Sequence, residues 1–388
     1  MSTTVKTFQS SQAILPALSG QAGALKTILK TCLVDGAGAQ TVTINVASGV
    51  ASVTFPTAHG MLADGILLVA GATPAALNGE QRISAVVNNM TLTYPTTAAD
   101  GAATGTITAK LASAGWQELF TGTNLTALKP TAIEATGCVL RVDDTGTKTA
   151  RWRGYESMSD INTGLGPFPT EAQLSGGCYV MKSMTADATA RAWRLIADDR
   201  GFLLAVEVRS AGYWTLYWAG DVSSLRSGDP YCFMVTGDTA DRTGTGLPPE
   251  GCCGYSGRTA RAGAYTARAS TGLGDSVQMQ RVGEGQNGTG ADAWSGAATY
   301  AMTGDGANLA NHGLLLSRLE LIASGLRGTV PGVWHARNNV TSLFSDGISI
   351  NGTHDLAGRK LLAIRTGVPA GNTWGITFVD LTGPWERP

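Results

Sequence analysis

The sequence predicts a mainly β protein whose body is an antiparallel sandwich or barrel, with a short N-terminal helix and an inserted small β-barrel. Short runs in which polar and apolar residues alternate recur along most of the 388 residues. Tight-turn residues separate these runs, and the chain holds 51 glycines. Near the N-terminus, a single segment shows the apolar spacing of an amphipathic helix.

Residues 1–17 are polar, rich in Ser and Thr, and followed closely by the helical pattern. Terminal segments of this kind are either disordered or laid across a partner subunit. Residues 1–17 are therefore predicted to form an extended N-terminal arm, and both alternatives stay open.

Residues 18–40 are predicted to hold the helix and its connection into the main domain. Ser19 is a good N-cap for the segment GQAGALKTILKTCLV, and the turn DGAG at 35–38 ends it. The apolar residues of the segment fall on one helical face: Ala22, Leu25, Ile28, Leu29, Cys32 and Leu33.

Residues 41–110 predict a separate unit of about six short strands, a small barrel or sandwich. The flanking segments on either side each resemble an incomplete part of one sheet. The unit is therefore predicted to be inserted in a surface loop of the main domain, where insertions cost little. Residues 111–388 complete that domain with further strands, although 311–324 fits neither the helical nor the strand period.

The composition argues against several classes of function. The net charge of −1 and the pI near 6.4 give no electrostatic reason to bind nucleic acid. No apolar run is long enough for a membrane span, and no Gly-rich phosphate loop or dinucleotide fingerprint predicts a cofactor. Charged residues make up only 15% of the chain, against about 25% in ordinary soluble domains. Such a surface is typical of proteins that neighbouring subunits cover.

The cysteines and histidines predict no metal site. Six cysteines occur without a CxxC spacing, and the four histidines are distant from them in sequence. His59 precedes a glycine at a turn and is predicted to make structural hydrogen bonds. Cys252 and Cys253 are adjacent in a loop, so a vicinal disulfide and two free thiols both stay open.

Two pairs of carboxylates are candidates for glycoside hydrolysis, Asp143–Asp144 and Asp198–Asp199. A glycosidase needs two carboxylates that face each other across a sugar. Both pairs lie in predicted hairpin turns, where Asp is a common turn residue. The sequence also lacks the GxSxG motif of a serine hydrolase. No catalytic residue is therefore predicted, and the chain is expected not to be an enzyme.

Tryptophans suggest contact surfaces. All nine occur in the predicted sheet region, and core packing is expected for most. Trp294 and Trp334 lie in loop-like sequence, so they are the candidates for subunit or glycan contact.

The stretch SVTFPTAHGMLADGILLVAGATPAALNGEQRISAVVNNMTLTYPTT, followed by ATGTI, carries a resemblance. It is similar to the small β-barrel module first named from the first catalytic-cysteine half-domain of ubiquitin-activating enzymes. That module recurs in bacteriophage tail and virion proteins. The matching features are His59–Gly60, the ADG turn, the segment Gly71–Gly79 and the final TGTI. The resemblance covers residues 41–110 and implies no catalysis in the barrel.

A wider set of segments resembles a family of structural proteins from tailed phages and prophages. The segments are LSGQAGALKTILKTCLVDGAG, GWQELFTGTNLTALKP, LRVDDTGTKTARWRGYESMSDINTGLGPFPT, WAGDVSSLRSGDPYCF and LRGTVPGVWH. The resemblance implies a virion protein, made in the bacterial cytoplasm, that contacts other virion proteins. It transfers no catalytic or cofactor-binding residue.

The main hypothesis is therefore a non-enzymatic, multi-copy tail or baseplate component that packs through its arm and β domains. A homo-oligomer related to a trimer or hexamer is expected. Two alternatives stay open: a capsid decoration protein, and a tail protein that binds host glycans.

Overall fold

The computed structural model describes residues 3–244, 262–283, 316–323, 325–336, 343–368 and 373–387, with residues 249, 251 and 314. The predicted mainly β fold is confirmed. Helix α1 spans Ala24–Lys30 and continues as a π-helical turn over Thr31–Asp35. Short 3-10 turns lie at Ala75–Leu77 and His354–Leu356. In this part of the chain no helix has the length and apolarity needed to cross a membrane.

The strands are numbered in chain order. The first ten are β1 Lys6–Gln9, β2 Ala37–Thr41, β3 Thr43–Ala47, β4 Val50–Thr54, β5 Ile66–Ala70, β6 Gly79–Arg82, β7 Ala85–Asn88, β8 Thr91–Pro95, β9 Gly101–Ala102 and β10 Thr108–Leu111. The next ten are β11 Gln117–Gly122, β12 Leu125–Lys129, β13 Val139–Asp143, β14 Thr149–Met158, β15 Gly164–Phe168, β16 Cys178–Met181, β17 Trp193–Ala197, β18 Gly201–Ser210, β19 Tyr213–Asp221 and β20 Ser223–Ser224. The last nine are β21 Phe233–Asp238, β22 Ala262–Thr266, β23 Val277–Gln278, β24 Gln280–Gly283, β25 Leu316–Ile322, β26 Leu326–Ala336, β27 Ser349–Asn351, β28 Lys360–Val368 and β29 Thr373–Asp380.

The body of the protein is one hydrogen-bonded network of twenty described strands, β1 and β11–β29. Most strands pair antiparallel with their neighbours in sequence, as in the hairpin of β13 and β14. The ambiguous region at 311–324 contributes the strand β25, which alternates between buried and half-buried residues. Local pairing of this kind is what the closely spaced turn residues predict.

Aromatic side chains fill the centre of the body. Trp152 is fully buried and meets the rings of Phe202 and Tyr217 edge-on, at centroid distances of 5.8 and 6.0 Å. Its indole N–H donates to the carbonyl of Thr236 at 2.6 Å. Edge-to-face contacts of this type add to the stabilisation from burial. Trp152 is therefore a core residue, as expected for most of the tryptophans.

The N-terminal segment is not an arm that waits for a partner, so this prediction is corrected. Strand β1 pairs antiparallel with β17 of the same chain, from Lys6 opposite Ala197 to Gln9 opposite Arg194. Phe8 lies in the main hydrophobic core. The polar composition of residues 1–17 concealed two buried apolar side chains, Phe8 in the main core and Val5 in a second core cluster.

Helix α1 begins later than the sequence predicts. Gly23, not Ser19, occupies its N-cap position with a left-handed φ of 79°. A Cβ atom at residue 23 would lie 2.5 Å from the side-chain oxygen of Asn124, so both the backbone and the space require glycine. The apolar face is as predicted for Leu25, which is buried together with Ile28, Leu29, Cys32 and Leu33.

Segment 37–111 forms two antiparallel sheets, in the strand orders β2-β10-β5-β6 and β7-β8-β4-β3-β9. The predicted closure into a barrel is not observed, since no sheet in the described residues closes on itself. Both sheets contribute side chains to the main core. Ala37 lies opposite Leu111, so the chain enters and leaves the segment at adjacent points. This arrangement suits an insertion, and the division into domains stays a prediction.

The inserted segment is fastened to the rest of the chain. Lys6 forms an ion pair with Glu80 at 2.8 Å. Arg82 is buried, and its Nη2 donates to the carbonyl of Leu381 at 3.2 Å. The segment is therefore held against both ends of the chain.

We expect Phe8→Ala to lower the free energy of unfolding by about 3–5 kcal/mol, the usual cost of removing a buried phenylalanine. Urea denaturation measures the change. Thr7→Ala, in the same strand and half-buried, is the matched control and should change it by less than about 0.5 kcal/mol.

The expected loss is independent of protein concentration, because β1 pairs within its own chain. A loss that grows on dilution would show instead that the strand docks on another subunit, as the sequence first suggested.

Candidate functional site

The first predicted carboxylate pair is divided between two structural roles. Asp143 accepts hydrogen bonds from the N–H and hydroxyl of Thr145, as a turn residue does. Asp144 is fully buried in an ion pair with Lys182, which is also fully buried. Its Oδ2 accepts the N–H of Lys26 in helix α1 at 3.0 Å. The Asp144 carboxylate therefore supplies the N-terminal capping oxygen that Ser19 does not.

Lys182 is bound on all sides. Besides Asp144, its ammonium donates to the carbonyls of Gln21 at 2.7 Å and Gly146 at 2.8 Å. Burial raises the pKa of Asp144 and lowers the pKa of Lys182, because desolvation outweighs the attraction between them. A buried pair of this kind fixes geometry more than it adds stability.

The second carboxylate pair is also structural. Asp198 is buried, and both of its oxygens accept hydrogen bonds from Arg387 near the C-terminus. The same carboxylate accepts the N–H groups of Arg200 at 2.9 Å and Gly201 at 2.8 Å. Asp199 is exposed on the turn. Neither predicted pair places two carboxylates across a cleft.

His59 makes the structural hydrogen bonds that its position predicts. The ring is buried, with Nδ1 accepting the N–H of Met61 at 3.0 Å and Nε2 lying 3.0 Å from the carbonyl of Asn88. These contacts assign the proton to Nε2. Both ring nitrogens are therefore occupied.

Cysteine provides no reactive site in the described part of the chain. Cys32, Cys138, Cys178 and Cys232 are buried free thiols. Burial raises the pKa of Cys138 and of Cys232 to about 12, so neither forms a thiolate at neutral pH. Cys252 and Cys253 lie outside the described residues. Among the described residues, no three His, Cys, Asp or Glu side chains are grouped so that they could hold a metal ion.

Trp334, a predicted contact residue, lies in strand β26 and not in a loop. The guanidinium of Arg318 stands 5.0 Å from the centroid of its ring, and Arg318 is paired with Glu386 at 2.6 Å. The cavity beside the ring measures about 20 Å³, room for about one water molecule. A cavity of this size does not enclose a sugar, and contact of Trp334 with a glycan or a subunit stays a prediction. Trp294, the other candidate, lies outside the described residues.

A larger cleft lies over the outer face of β13 and β14. It measures about 390 Å³, within the roughly 300–1,000 Å³ that small-molecule sites occupy. We call it the arginine cleft, and its lining includes Arg141, Asp143, Arg151, Arg153, Tyr155 and Glu171.

Strand register brings the arginines together. Arg141 on β13 lies directly opposite Arg153 on β14, and Asp143 lies opposite Arg151. Like charges in opposite positions destabilise a sheet. The side chains are therefore held by other groups: Arg141 donates to the carbonyl of Ile161 at 2.7 Å.

Arg153 and Arg151 are held by the loop at 170–177. Arg153 pairs with Glu171 at 2.5 Å and donates to the carbonyl of Leu174 at 3.1 Å. Arg151 donates to the carbonyl of Gly177, and its guanidinium stacks 3.6 Å from the ring centroid of Tyr179. These contacts fix the guanidinium groups in place before any ligand arrives.

The electrostatics of the cleft follow from these contacts. Desolvation alone would lower the pKa of Arg153, but hydrogen bonds with Glu171 and Tyr155 raise it above its ordinary value. The hydrogen bond from Arg153 lowers the pKa of Glu171 to about 2. Burial lowers the pKa of Arg151, yet a guanidinium keeps its proton at any physiological pH. Three positive and two negative side chains therefore line the cleft at neutral pH.

Sequence reasoning missed this cleft, although a signal was present. In ARWRGY, arginines alternate with Trp152 and glycine at the two-residue period of a strand. The turn at 144–148 sets the register of β13 against β14, and therefore which residues lie opposite these arginines.

A second feature is the hairpin of β7 and β8 in the inserted segment. Strand β7 is the last strand of its sheet and pairs only with β8 in the described structure. Val87 is 62% exposed, and Val86 and Met90 are also exposed. No charged residue occurs from 83 to 99. Sheet edges usually carry Lys or Pro as protection against pairing with other chains.

Comparison with known proteins finds no match, either to a protein-family model or to a curated protein at a significant level.

We expect Lys182→Met to lower the free energy of unfolding by about 3–5 kcal/mol, because it leaves the Asp144 carboxylate buried without a counter-charge. Lys30→Met, which breaks the exposed pair of Lys30 and Asp35, is the matched control and should cost less than about 1 kcal/mol.

Combining Lys182→Met with Asp144→Leu should recover most of this loss, since removal of both charges ends the desolvation penalty. The double variant still lacks the Asp144 carboxylate that caps α1, which should lower the free energy of unfolding by about 0.5–2 kcal/mol. Urea unfolding of the unaltered chain, the two single variants and the double variant gives the coupling energy between the two side chains. Additive costs would contradict the assignment of a coupled buried pair.

Proposed function

We propose that the chain is a non-enzymatic structural protein of a tailed-phage particle, a multi-copy tail or baseplate component that packs against other subunits through its β domains. The main support for this proposal is the uncharged edge of the β7–β8 hairpin. An unpaired strand edge is a template for a strand of another chain.

The side chains of this edge support a protein contact. Val86, Val87 and Met90 expose apolar surface on one hairpin. A chain that worked alone would leave this surface in water next to unpaired backbone groups, which favours aggregation. In an assembled particle, a neighbouring subunit covers both.

Composition and sequence resemblance support the same proposal. A 15% share of charged residues suits a surface that neighbours cover. The segments that resemble phage structural proteins extend over most of the chain, including LRVDDTGTKTARWRGYESM around Asp144.

The engagement of the acidic side chains supports a role without catalysis. Asp144 and Asp198, one residue from each pair that the sequence offered for sugar hydrolysis, are bound to Lys182 and Arg387. A carboxylate that is buried and already bound to a cationic side chain is poorly placed to transfer a proton to a sugar or to attack it.

The contact with neighbouring subunits is assigned to the β7–β8 hairpin in place of residues 1–17, because β1 is occupied by β17.

Capsid decoration is the alternative, and the number of copies in a particle distinguishes the two. Quantitative mass spectrometry of purified particles should give a copy number that matches the rings of a tail. A number that matches the capsid subunits would favour decoration, and absence from particles would contradict both.

We expect Val87→Lys to reduce self-association or incorporation into particles by at least about tenfold, because a lysine must be desolvated at the edge. Sedimentation velocity of the purified chain and mass spectrometry of particles measure the effect. Thr43→Lys adds the same charge to an exposed position of β3, an inner strand of the same sheet, and should leave assembly unchanged.

Circular dichroism should show that both variants fold, since both positions are exposed. Normal assembly of Val87→Lys would exclude the β7–β8 hairpin as the contact.

A further inference from the structure

We propose that the arginine cleft binds an acidic sugar, a monosaccharide unit that carries one carboxylate. The proposal rests on the cleft alone and does not require that the chain be a virion protein. Four features of the cleft support it: the volume, the balance of charges in the lining, the N–H donors of the arginines without a partner, and the rigidity of the walls.

Size distinguishes this cleft from the cavity beside Trp334. The arginine cleft measures about 390 Å³ and the other about 20 Å³. Only the first has room for a ligand larger than water. Trp334, the aromatic residue that the sequence suggested, stands at the smaller of the two.

Charge balance favours a ligand with a single negative charge. Arg141, Arg151 and Arg153 contribute three positive charges, and Asp143 and Glu171 contribute two negative ones. The net charge of the lining is therefore +1, by subtraction of two from three. A polyphosphate or a nucleic-acid backbone would bring several charges close to the two carboxylates, which would repel it.

The acidic side chains suit the rest of a sugar. Carboxylate and amide oxygens accept hydrogen bonds from hydroxyl groups, and Asp143, Glu171 and Asn162 provide such oxygens around the cleft. A ring with one carboxylate and several hydroxyls therefore matches the mixed lining better than a simple anion does.

Arg141 has a donor left over. Its Nε donates to Ile161, and its Nη2 lies 3.3 Å from the side-chain oxygen of Asn162. Its Nη1 stands 3.8 Å from Asp143, beyond hydrogen-bond distance. The planar guanidinium fork fits a carboxylate better than a lysine would.

Arg151 lines the cleft with a guanidinium whose Nε and Nη2 already donate to the carbonyls of Ser175 and Gly177. One side rests on Tyr179, and at Gly176 a Cβ atom would come within 3.1–3.2 Å of the guanidinium atoms. Glycine at this position therefore keeps a side chain off Arg151 at the wall of the cleft. Because stacking and carbonyl bonds already hold Arg151, a ligand would lose little binding free energy to ordering it.

The test is isothermal titration calorimetry of the full chain with glucuronate, galacturonate and N-acetylneuraminate. At least one should bind, and its uncharged methyl ester should bind about tenfold more weakly or not at all, since a hydrogen bond to a charged group is lost. The ester comparison uses the unaltered protein, so it stands even where a variant fails to fold.

Arg141→Gln should weaken binding of the acidic sugar by about tenfold or more. Arg318→Gln, which removes an exposed arginine at the smaller cavity, is the matched control and should bind normally. Equal binding of acid and ester, or normal binding by Arg141→Gln, would overturn the proposal. Absence of binding by all three sugars, or tighter binding of inorganic phosphate or of an aspartate-containing peptide, would overturn it as well.

Discussion

The buried ion pair of Asp144 and Lys182 is the contact on which the N-terminal half of the fold depends. It joins three parts of the chain that are far apart in sequence: the start of helix α1, the turn between β13 and β14, and the residue that follows β16. Every polar atom of the pair has a partner close by, a condition for a buried charge pair to be tolerated. Desolvation opposes both charges, so the ion pair adds little to the free energy of unfolding. Its contribution is to fix one arrangement of the three chain segments that it joins.

The same turn sets the outer surface of the sheet. With the turn anchored at Asp144, β13 and β14 pair so that Trp152 enters the core opposite Val142, while Arg141 and Arg153 meet on the other face. A shift by one residue would turn the arginines toward the core and the tryptophan toward the outer face. Core packing and the arginine cleft therefore follow from one register, which the ion pair helps to set.

How far the sequence predicts the structure depends on the range of the interaction. Turn residues and apolar periodicity, which are local, were enough to predict the β class, the hairpins and the buried face of α1 at Leu25 and Ile28. Contacts between distant segments were not predictable: β1 pairs with β17, and Asp144 caps α1 across more than a hundred residues. The cleft was missed for the same reason, because its arginines become neighbours only through register. The loop-like sequence around Trp334 also did not predict its place in β26, where Arg318 of the paired strand stands 5.0 Å from its ring.

We propose that the chain is a repeated part of a phage tail or baseplate and that its β7–β8 hairpin meets a neighbouring subunit. Cryo-electron microscopy of the intact particle tests it most directly. The account predicts density for this chain in rings at the tail or baseplate, with Val87 covered by another subunit. Density over the capsid, an uncovered hairpin within an assembled ring, or absence of the chain from the particle would contradict it.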